Sequence, residues 1–251
     1  MIFTGTSRFY TLANRIERMA ARAQGKGYSS ATLEQEIALL QSPLKPPPAL
    51  AIDIGGNVGD YTAELRKRNA ALEIHVFEPS RTNIDKLNAR FKDDPLILVC
   101  PYALSENSGS ATLYADHLGS GMGSLTQRRL KHFNIAFEAA ETVETLRFED
   151  YWKSHLHGRN IDLVKIDVEG HELTVLKGFG SAITVTKVVQ FEFGGTDIDT
   201  RTYFQDFWYY FNEARFSLFR MTPYGLQKLT NYAESDECFV FTNFVAVNDR
   251  Q

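Results

Sequence analysis

Short apolar runs alternate with helical patterns along most of the chain, beginning near Leu50. The runs have the length of buried strands, and several are followed by segments whose apolar residues recur at helical spacing. They are ALAIDI, EIHVFE, LILVCPYAL, IDLVKID and KVVQFEF. Two later runs, RFSLFRM and ECFVFTNFVAV, are separated by turn signals at Pro223 and Gly225, and predict an antiparallel C-terminal hairpin. Repeated strand–helix units predict a three-layer α/β sandwich around a largely parallel, seven-stranded sheet.

Helical spacing also marks the segment before the first strand. The apolar positions are Leu12, Ile16, Met19 and Ala23, and then Leu33, Ile37 and Leu40 after a break at GKGYSS. The following run, SPLKPPPAL, contains three successive prolines and predicts a stiff linker. The chain therefore divides into an N-terminal helical extension with a proline-rich linker, residues 1–48, and a main domain, residues 49–251. Packing on the main domain is the commoner use of such an apolar stripe, and contact with an anionic membrane is the alternative for a basic helix.

A long interruption, residues 105–160, separates LILVCPYAL from IDLVKID. Its segments SGSATLYAD and TVETL predict strands around the loop GSGMGSLTQRRLKHF. Because long insertions near ligand sites are often lids, we expect a lid-like insertion here. The basic cluster QRRLKHF, which contains Arg128 and Arg129, predicts either a solvated face or a site for an anionic acceptor.

Composition excludes several classes of protein. Of 251 residues, 43% are hydrophobic and 23% charged, which is typical of a globular chain. The formal net charge of −4 provides no large positive field for nucleic acid. The two cysteines, Cys100 and Cys238, lack the spacing of a zinc site and predict buried free thiols in a reducing compartment. No apolar run is long enough to span a membrane, and arginines interrupt the N-terminal segment as they would not in a secretory signal, so we expect a cytoplasmic location.

The strongest chemical signal is AIDIGGNVGDYT, in which an apolar strand ends at a glycine-rich turn. The turn is spaced as GxNxG, without the GxGxxG of a dinucleotide site or the lysine of a P-loop. The second strand ends in Glu78, whose carboxylate can accept both hydroxyl hydrogens of a ribose. These features predict a ligand that contains a nucleoside, whereas the alternative is an ordinary turn beside an incidental glutamate.

Together with HVFEPS, NSGSATLY and LVKIDVEGHELTVLKG, this loop resembles the FkbM family of S-adenosylmethionine-dependent methyltransferases. The resemblance covers roughly residues 49–247 and is most specific in KIDVEGHE. It implies the Rossmann-like fold of class I methyltransferases, with S-adenosylmethionine as cofactor. The chain is more closely similar to the branch of this family that is associated with glycan and polysaccharide gene sets. This likeness lies in GSGMGSLTQRRL, FEFGGTDIDTRTYF and FRMTPYGL. That likeness implies a small-molecule or glycan acceptor with a sugar hydroxyl.

The resemblance also implies which residues form the site. The methionine part of the cofactor would lie against Asp53, Gly55, Gly56, Asn57 and Gly59, and the ribose against Glu78. Adenine would lie near Pro79, Ala103 and Leu104, although the acidic residue usual in that turn is absent from PYALSE. Asp167 would hold the cofactor's amino group or orient the acceptor. Apart from the resemblance, their place in the predicted lid makes Ser124, Arg128 and Arg129 candidates for acceptor binding, with a solvated charged face as the alternative for the arginines.

Methyl transfer to an alcohol also requires a group that accepts the hydroxyl proton. The candidates are Asp167, Glu169, His171 and Glu192, all at or near strand ends. We assign no metal ligand, although two carboxylates at neighbouring strand ends would also suit Mg²⁺. The NPPY or DPPY element of enzymes that methylate a flipped base is absent, which disfavours a nucleic-acid target. A nicotinamide-dependent oxidoreductase and a non-catalytic cofactor-binding module are the alternative functions.

Overall fold

The structure is a computed structural model that describes residues 8–27 and 32–251. Its strands are β1 (Leu50–Ile54), β2 (Glu73–Phe77), β3 (Ile97–Cys100), β4 (Ala103–Ser105), β5 (Gly109–Ala115), β6 (Ala139–Arg147), β7 (Ile161–Ile166), β8 (Thr186–Phe193), β9 (Phe216–Thr222), β10 (Gly225–Leu229) and β11 (Thr242–Asn248). Its α-helices are α1 (Arg8–Ala23), α2 (Leu33–Leu39), α3 (Asp60–Arg68), α4 (Arg81–Phe91), α5 (Phe148–His155), α6 (Glu172–Gly178), α7 (Thr196–Thr200) and α8 (Phe204–Glu213).

The main sheet has eight strands in the order β10-β9-β11-β8-β7-β1-β2-β3. The five strands from β8 to β3 are parallel, and β11, β9 and β10 continue the sheet with antiparallel pairing. This confirms the predicted three-layer, largely parallel architecture with an antiparallel C-terminal part. The predicted count of seven strands was wrong by one, because β10 is a half-exposed edge strand whose sequence, GLQKL, forms no apolar run.

Apolar residues fill both faces of this sheet. On one face, the buried side chains of Phe148, Val175 and Phe207, from α5, α6 and α8, belong to one hydrophobic cluster with the strands. On the other face, Leu65 and Leu87, from α3 and α4, belong to a second cluster. Burying side chains of this size stabilises the fold by about 1.5–3 kcal/mol each. Because the parallel strands are covered on both faces, their sequences are continuous apolar runs.

The order of connections reverses between β1 and β7, since the chain passes from β1 to β2 and β3 and then returns to β7 and β8 on the other side. Asp53 of β1 is directly opposite Lys165 of β7 in the parallel register. In doubly wound sheets a ligand crevice forms at the carboxyl ends of the strands at such a reversal. The loop after β1 and the turn after β7 both lie at this position.

The predicted insertion, residues 105–160, has three structurally different parts. Strands β5 and β6 pair with each other, and with β4 they form a separate three-stranded sheet. Helix α5 belongs to the main core, since its residues Phe148 and Tyr151 are buried there. Within the insertion, the residues that line the ligand crevice come from β5, from positions 118–125 of the connection after it, and from Glu141 of β6. That the insertion acts as a lid stays a prediction.

The two N-terminal helices differ in how they contact the rest of the chain. Helix α2 packs on the sheet, with Ile37 buried in the second cluster together with Leu40 and Leu44 of the following segment. The proline-rich linker therefore lies against the domain. The packing predicted for the first helix was wrong, because α1 has no buried residue and its apolar stripe is exposed. Residues 1–7 and residues 28–31, part of the predicted break between the helices, lie outside the described residues.

Candidate active site

The loop after β1 turns sharply because its glycines adopt backbone conformations that other residues rarely adopt. Gly55 has φ +80°, and a Cβ there would overlap the carbonyl oxygen of Asp167. Its N–H and that of Gly56 donate to the carbonyl oxygen of Phe77 at 2.9 and 3.1 Å. Gly59 has φ +85° and lies at the start of α3. The loop is thereby held against both neighbouring strands, and its backbone faces the crevice.

Glu78, directly after β2, is buried and fixes this loop from the other side. Its two carboxylate oxygens accept hydrogen bonds from the N–H groups of Asn57 and Ser80 at 2.8 and 2.9 Å. A carboxylate has about four lone-pair positions, so these two backbone hydrogen bonds leave acceptor capacity for a ligand. Burial raises the pKa of Glu78 to about 7, even though the two backbone N–H groups favour the ionised form.

A cavity of about 730 Å³ extends from Glu78 along the strand ends and beneath residues 116–125. Residues that the sequence predicted for the site and that line this cavity are Gly55, Asn57, Glu78, Pro79, Ala103, Leu104, Asp167, Glu169 and His171. Leu113, Leu118 and Leu125, which the sequence did not single out, contribute apolar wall from β5 and the connection after it.

A second cavity, of about 660 Å³, lies on the other side of the loop after β1. Its polar lining residues include Glu36, Tyr61, Lys165, Glu192 and Asn243. The two cavities share the lining residues Gly55, Asn57 and Asp167. Asp167 therefore lies where a largely apolar cavity meets a more polar one.

Asp167 is held by Lys165, whose Nζ donates a hydrogen bond to Asp167 Oδ2 at 2.7 Å. Burial acts to lower the pKa of Lys165, but the carboxylates of Asp167 and Asp53 outweigh it and raise the pKa above its ordinary value. The ammonium group also lies 5.3 Å from the ring centroid of Tyr61, within the range of a cation–π contact. Lys165 is thus a permanent cation beside the junction of the two cavities.

Glu169 occupies the turn after β7 in a left-handed conformation, with φ +56°. Its Oε2 accepts a hydrogen bond from Arg128 Nη1 at 2.8 Å, and its backbone carbonyl accepts one from Ser124 Oγ at 2.8 Å. Burial, followed by the negative charge of Asp167, raises the pKa of Glu169 to about 7. The segment over the first cavity is therefore fastened to the turn by both Arg128 and Ser124.

His171 lies on the wall of the first cavity, at the start of α6. Its Nε2 is 2.8 Å from Oγ1 of Thr126, within hydrogen-bond distance. Its Nδ1 is buried and has no hydrogen-bond partner in the part of the chain that the structure describes. Burial lowers the pKa of His171, so the imidazole is neutral at pH 7. A neutral imidazole with one unused nitrogen is able to accept a proton.

Two other carboxylates near the turn have different surroundings. Glu172 is buried and accepts hydrogen bonds from the N–H groups of Val168 and Gly170, both at 3.0 Å, so it holds the turn in shape. Burial and the nearby Asp197 raise its pKa. Glu192 lies in the second cavity, where burial, followed by the charges of neighbouring carboxylates, raises its pKa well above the ordinary value.

Three residues predicted for the site have other positions in the structure. Asp53 is fully buried below the loop, lines neither cavity, and accepts a hydrogen bond from Thr62 Oγ1 at 2.6 Å. Gly59 lies against α4, where a Cβ would collide with Leu87 and Phe91. Ser124 is fully buried with its hydroxyl bonded to the turn, which contradicts a direct acceptor contact.

The two arginines predicted to bind the acceptor are not equivalent. Arg128 pairs with Glu169 and lies 3.6 Å from Asp199, and its side chain is largely buried. Arg129 is exposed and lines neither cavity. The sequence also missed Glu36, Tyr61 and Lys165, which the fold brings to the second cavity from three different elements.

Within residues 8–27 and 32–251, no group of three or more His, Cys, Asp or Glu residues is arranged to hold a metal ion. Over the same ranges, no helix combines the length and apolar content that crossing a membrane requires. Both thiols in this part of the chain are free, with Cys100 buried as expected and Cys238 only half-buried.

A family model described as the Methyltransferase FkbM domain matches residues 53–218 of the chain. The 2-O-methyltransferase NoeI of Sinorhizobium fredii is 24% identical over 194 residues, which cover 72% of this chain and 78% of the relative. The hexuronic acid methyltransferase AglP of Haloferax volcanii is 26% identical over 132 residues, which cover 52% of this chain and 50% of the relative. The chain therefore matches about half the length of AglP.

A solved structure with a similar fold is that of Methyltransferase FkbM from Methylobacillus flagellatus KT. The TM-score is 0.50 at 17% sequence identity, and the match covers 79% of this chain and 43% of that chain. A likeness at this identity concerns the fold alone. It agrees with the Rossmann-like methyltransferase architecture that the sequence predicted.

Proposed function

The chain belongs to the FkbM methyltransferase family, and on that basis we propose that it transfers a methyl group from S-adenosylmethionine to a hydroxyl oxygen of a sugar. The observation that carries this proposal is the position of Asp167, between a cavity with a ribose-binding carboxylate at Glu78 and a second, polar cavity. Family membership decides against the nicotinamide-dependent oxidoreductase that the glycine loop and Glu78 alone would allow.

The residues present fit S-adenosylmethionine. The carboxylate of Glu78 has acceptor capacity beyond its two backbone hydrogen bonds, which suits the hydroxyl groups of a ribose. The glycine loop brings backbone to the junction of the cavities, where a side chain at Gly55 would collide with Asp167. Leu104 and Leu113 provide apolar wall for adenine. The carboxylate of Asp167 suits the cofactor's amino group and lies where a cationic sulfonium would be stabilised.

When bound, S-adenosylmethionine supplies an electrophilic methyl group and leaves as a neutral thioether. The residues of the chain must place the acceptor oxygen in line with that methyl group, and positioning of this kind lowers a barrier by up to about 7–11 kcal/mol. They must also remove the hydroxyl proton. His171, on the wall of the first cavity, is the base that we propose for an acceptor hydroxyl at the junction of the two cavities, because its imidazole is neutral at pH 7 and its Nδ1 has no hydrogen-bond partner among the described residues. General-base catalysis contributes about 10²–10⁴-fold to such a step.

A sugar hydroxyl is the acceptor best supported. The names of the two relatives, a 2-O-methyltransferase and a hexuronic acid methyltransferase, both concern oxygen or sugar substrates. The polar residues of the second cavity, among them Glu192 and Asn243, provide hydrogen-bond partners of the kind that bind sugar hydroxyl groups. Arg128 is paired within the chain, so the structure does not require the acceptor to be anionic.

The test combines binding and transfer. Titration calorimetry with S-adenosylhomocysteine and, separately, with NAD should show binding of the former alone. Methyl-labelled cofactor should then transfer label to a hydroxyl in a panel of hexuronic acids, neutral sugars, nucleotide sugars and lipid-linked glycans, with the O-methyl group identified by NMR. The Glu78→Ala variant is the control, since it should lose both binding and transfer. Binding of NAD instead, or label found on nitrogen, would contradict the proposal.

A further inference from the structure

Helix α1 has an unusually clean separation of apolar and basic side chains. At 3.6 residues per turn, seven of its apolar residues fall on one arc roughly 120° wide, while Ala21 lies on the other side. They are Phe9, Leu12, Ala13, Ile16, Met19, Ala20 and Ala23. The four arginines, Arg8, Arg15, Arg18 and Arg22, fall together on the adjoining arc. The helix therefore presents an apolar stripe with a basic edge along its whole described length.

The apolar stripe points away from the rest of the chain. Phe9, Leu12, Ile16 and Met19 are 78%, 54%, 57% and 72% exposed. The two residues of α1 that are half-buried, Asn14 and Ala21, lie on the opposite side of the helix. A globular domain normally buries the apolar side of such a helix and exposes its polar side. The reverse orientation leaves the stripe available to a partner outside the described structure.

The turn after α1 is firmly seated, so the helix has a defined position on the domain. A Cβ on Gly25 would overlap the carbonyl oxygen of Met221, and Lys26 Nζ donates a hydrogen bond to the carbonyl oxygen of Ser235 at 2.5 Å. Gly27 lies directly against Val240. Val240 and its neighbour Phe241 are themselves exposed, and Phe241 lines the second cavity. Two exposed apolar side chains, Val240 and Phe241, thus lie between the turn after α1 and the second cavity.

The charge of α1 indicates an anionic partner. The chain has a formal net charge of −4, yet α1 contains four arginines and a single glutamate, Glu17. Positive charge is therefore concentrated on the element with the exposed stripe. An anionic lipid surface satisfies both features, since acyl chains accept the apolar face and headgroups attract the arginines. A second copy of α1 would satisfy only the first, because it has the same excess of arginines over glutamate and offers no anionic surface.

We propose that α1 binds the surface of an anionic lipid bilayer through this stripe and its arginines, which would place the mouth of the second cavity close to the membrane. Such helices lie in the plane of the interface with their apolar side chains among the acyl chains, without crossing the bilayer. The proposal does not depend on the reaction that the site performs.

The test is flotation of the full chain with vesicles of phosphatidylglycerol and phosphatidylcholine, compared with phosphatidylcholine alone. We expect binding to the anionic vesicles only. Since one basic side chain contributes about fivefold to binding at such a surface, Arg15→Glu with Arg22→Glu should weaken binding by more than about 25-fold. The matched control, Lys92→Glu with Arg250→Glu, makes the same change of charge on exposed residues elsewhere and should bind as the parent chain does.

A second variant, Ile16→Glu, tests the apolar stripe and should abolish flotation while the circular dichroism of the domain is unchanged. Light scattering without vesicles tests the alternative, in which α1 pairs with α1 of a second copy of the chain. A dimer that Ile16→Glu converts to a monomer, with no flotation of the parent chain, would overturn the proposal in favour of self-association. Equal binding to neutral and anionic vesicles, or unchanged binding of the double arginine variant, would also overturn it.

Discussion

Arg128 Nη1 lies 2.8 Å from Oε2 of Glu169, and this ion pair joins the segment over the first cavity to the turn after β7. The pair is largely shielded from solvent, so its loss leaves a partly buried carboxylate without its cation. We therefore expect Arg128→Ala to reduce the free energy of unfolding by about 1–3 kcal/mol, measured by urea denaturation. Its kcat/KM should fall by about tenfold or more, equivalent to about 1.4 kcal/mol.

The neighbouring Arg129 is the matched control for this prediction, because it is exposed. Arg129→Ala should change stability by less than about 0.5 kcal/mol, as most surface substitutions do. Equal effects of the two substitutions on KM alone would instead support the original interpretation that both arginines bind an anionic acceptor.

Glu78→Ala should weaken binding of S-adenosylhomocysteine by about 100-fold or more. The variant loses two hydrogen bonds to a charged group, each worth about 1.5–3 kcal/mol, and it also leaves the N–H groups of Asn57 and Ser80 without their acceptor. Titration calorimetry measures the affinity, and Glu213→Gln, an exposed glutamate on α8, serves as control. Unchanged affinity in Glu78→Ala would remove this residue from the cofactor site.

Cofactor affinity should depend on pH through the same carboxyl group. Burial raises the pKa of Glu78 to about 7, and only the ionised form accepts both ribose hydroxyl hydrogens. Affinity should therefore be greatest above pH 7 and should fall as the pH decreases, by about tenfold for each pH unit well below 7. Titrations between pH 5.5 and 8.5 measure this, and Glu78→Gln should show a flat profile. A pH dependence that persists in Glu78→Gln would assign it to another group.

Gly55→Ala should destabilise the fold strongly. The backbone at this position is left-handed, and the added methyl group would overlap the carbonyl oxygen of Asp167, which belongs to backbone and cannot easily move. A loss of about 2–4 kcal/mol in the free energy of unfolding is expected. Gly109→Ala is the control, since a Cβ there meets only Thr145 Oγ1 at an ordinary distance of 3.8 Å. Similar stability of the two variants would contradict the described loop geometry.

Asp167→Asn and His171→Gln should separate positioning from proton transfer. If His171 is the base, His171→Gln should lower kcat by about 10²-fold or more and should change cofactor affinity less, because the role proposed for the imidazole is toward the acceptor hydroxyl. Asp167→Asn should weaken cofactor binding, since its carboxylate faces the junction of the cavities. His157→Gln, at an exposed histidine, is the control. Near-normal kcat in His171→Gln would transfer the role of base to Glu169 or Glu192.

The sequence predicted the sheet well because its parallel strands are buried on both faces and therefore read as apolar runs. The edge strand β10 lacks that signal, since GLQKL is partly solvated. The apolar stripe on α1 shows a second limit of prediction from sequence. Periodicity identifies which residues of a helix are apolar, but it does not identify what covers them, and the structure leaves Ile16 and Met19 exposed.

The placement of residues at strand ends was predictable because topology alone brings such positions to one edge of the sheet. Glu78 and Asp167 are examples, and both line the first cavity. Glu36 was not predictable, since its contribution depends on how α2 packs and a glutamate on an amphipathic helix normally faces solvent. Ser124 was misassigned because no sequence pattern shows that its hydroxyl bonds the carbonyl oxygen of Glu169.

Glu36 and Leu33 have a consequence for how the catalytic unit is delimited. Both belong to α2, upstream of the proline run, and both line the second cavity. The family match begins only at residue 53. A fragment trimmed to that match would lose one wall of the cavity along with the apolar cover that Ile37 and Leu40 give the sheet. A fragment of this chain that keeps the complete second cavity must therefore start before α2. A chimera that exchanges acceptor specificity between relatives must include this helix.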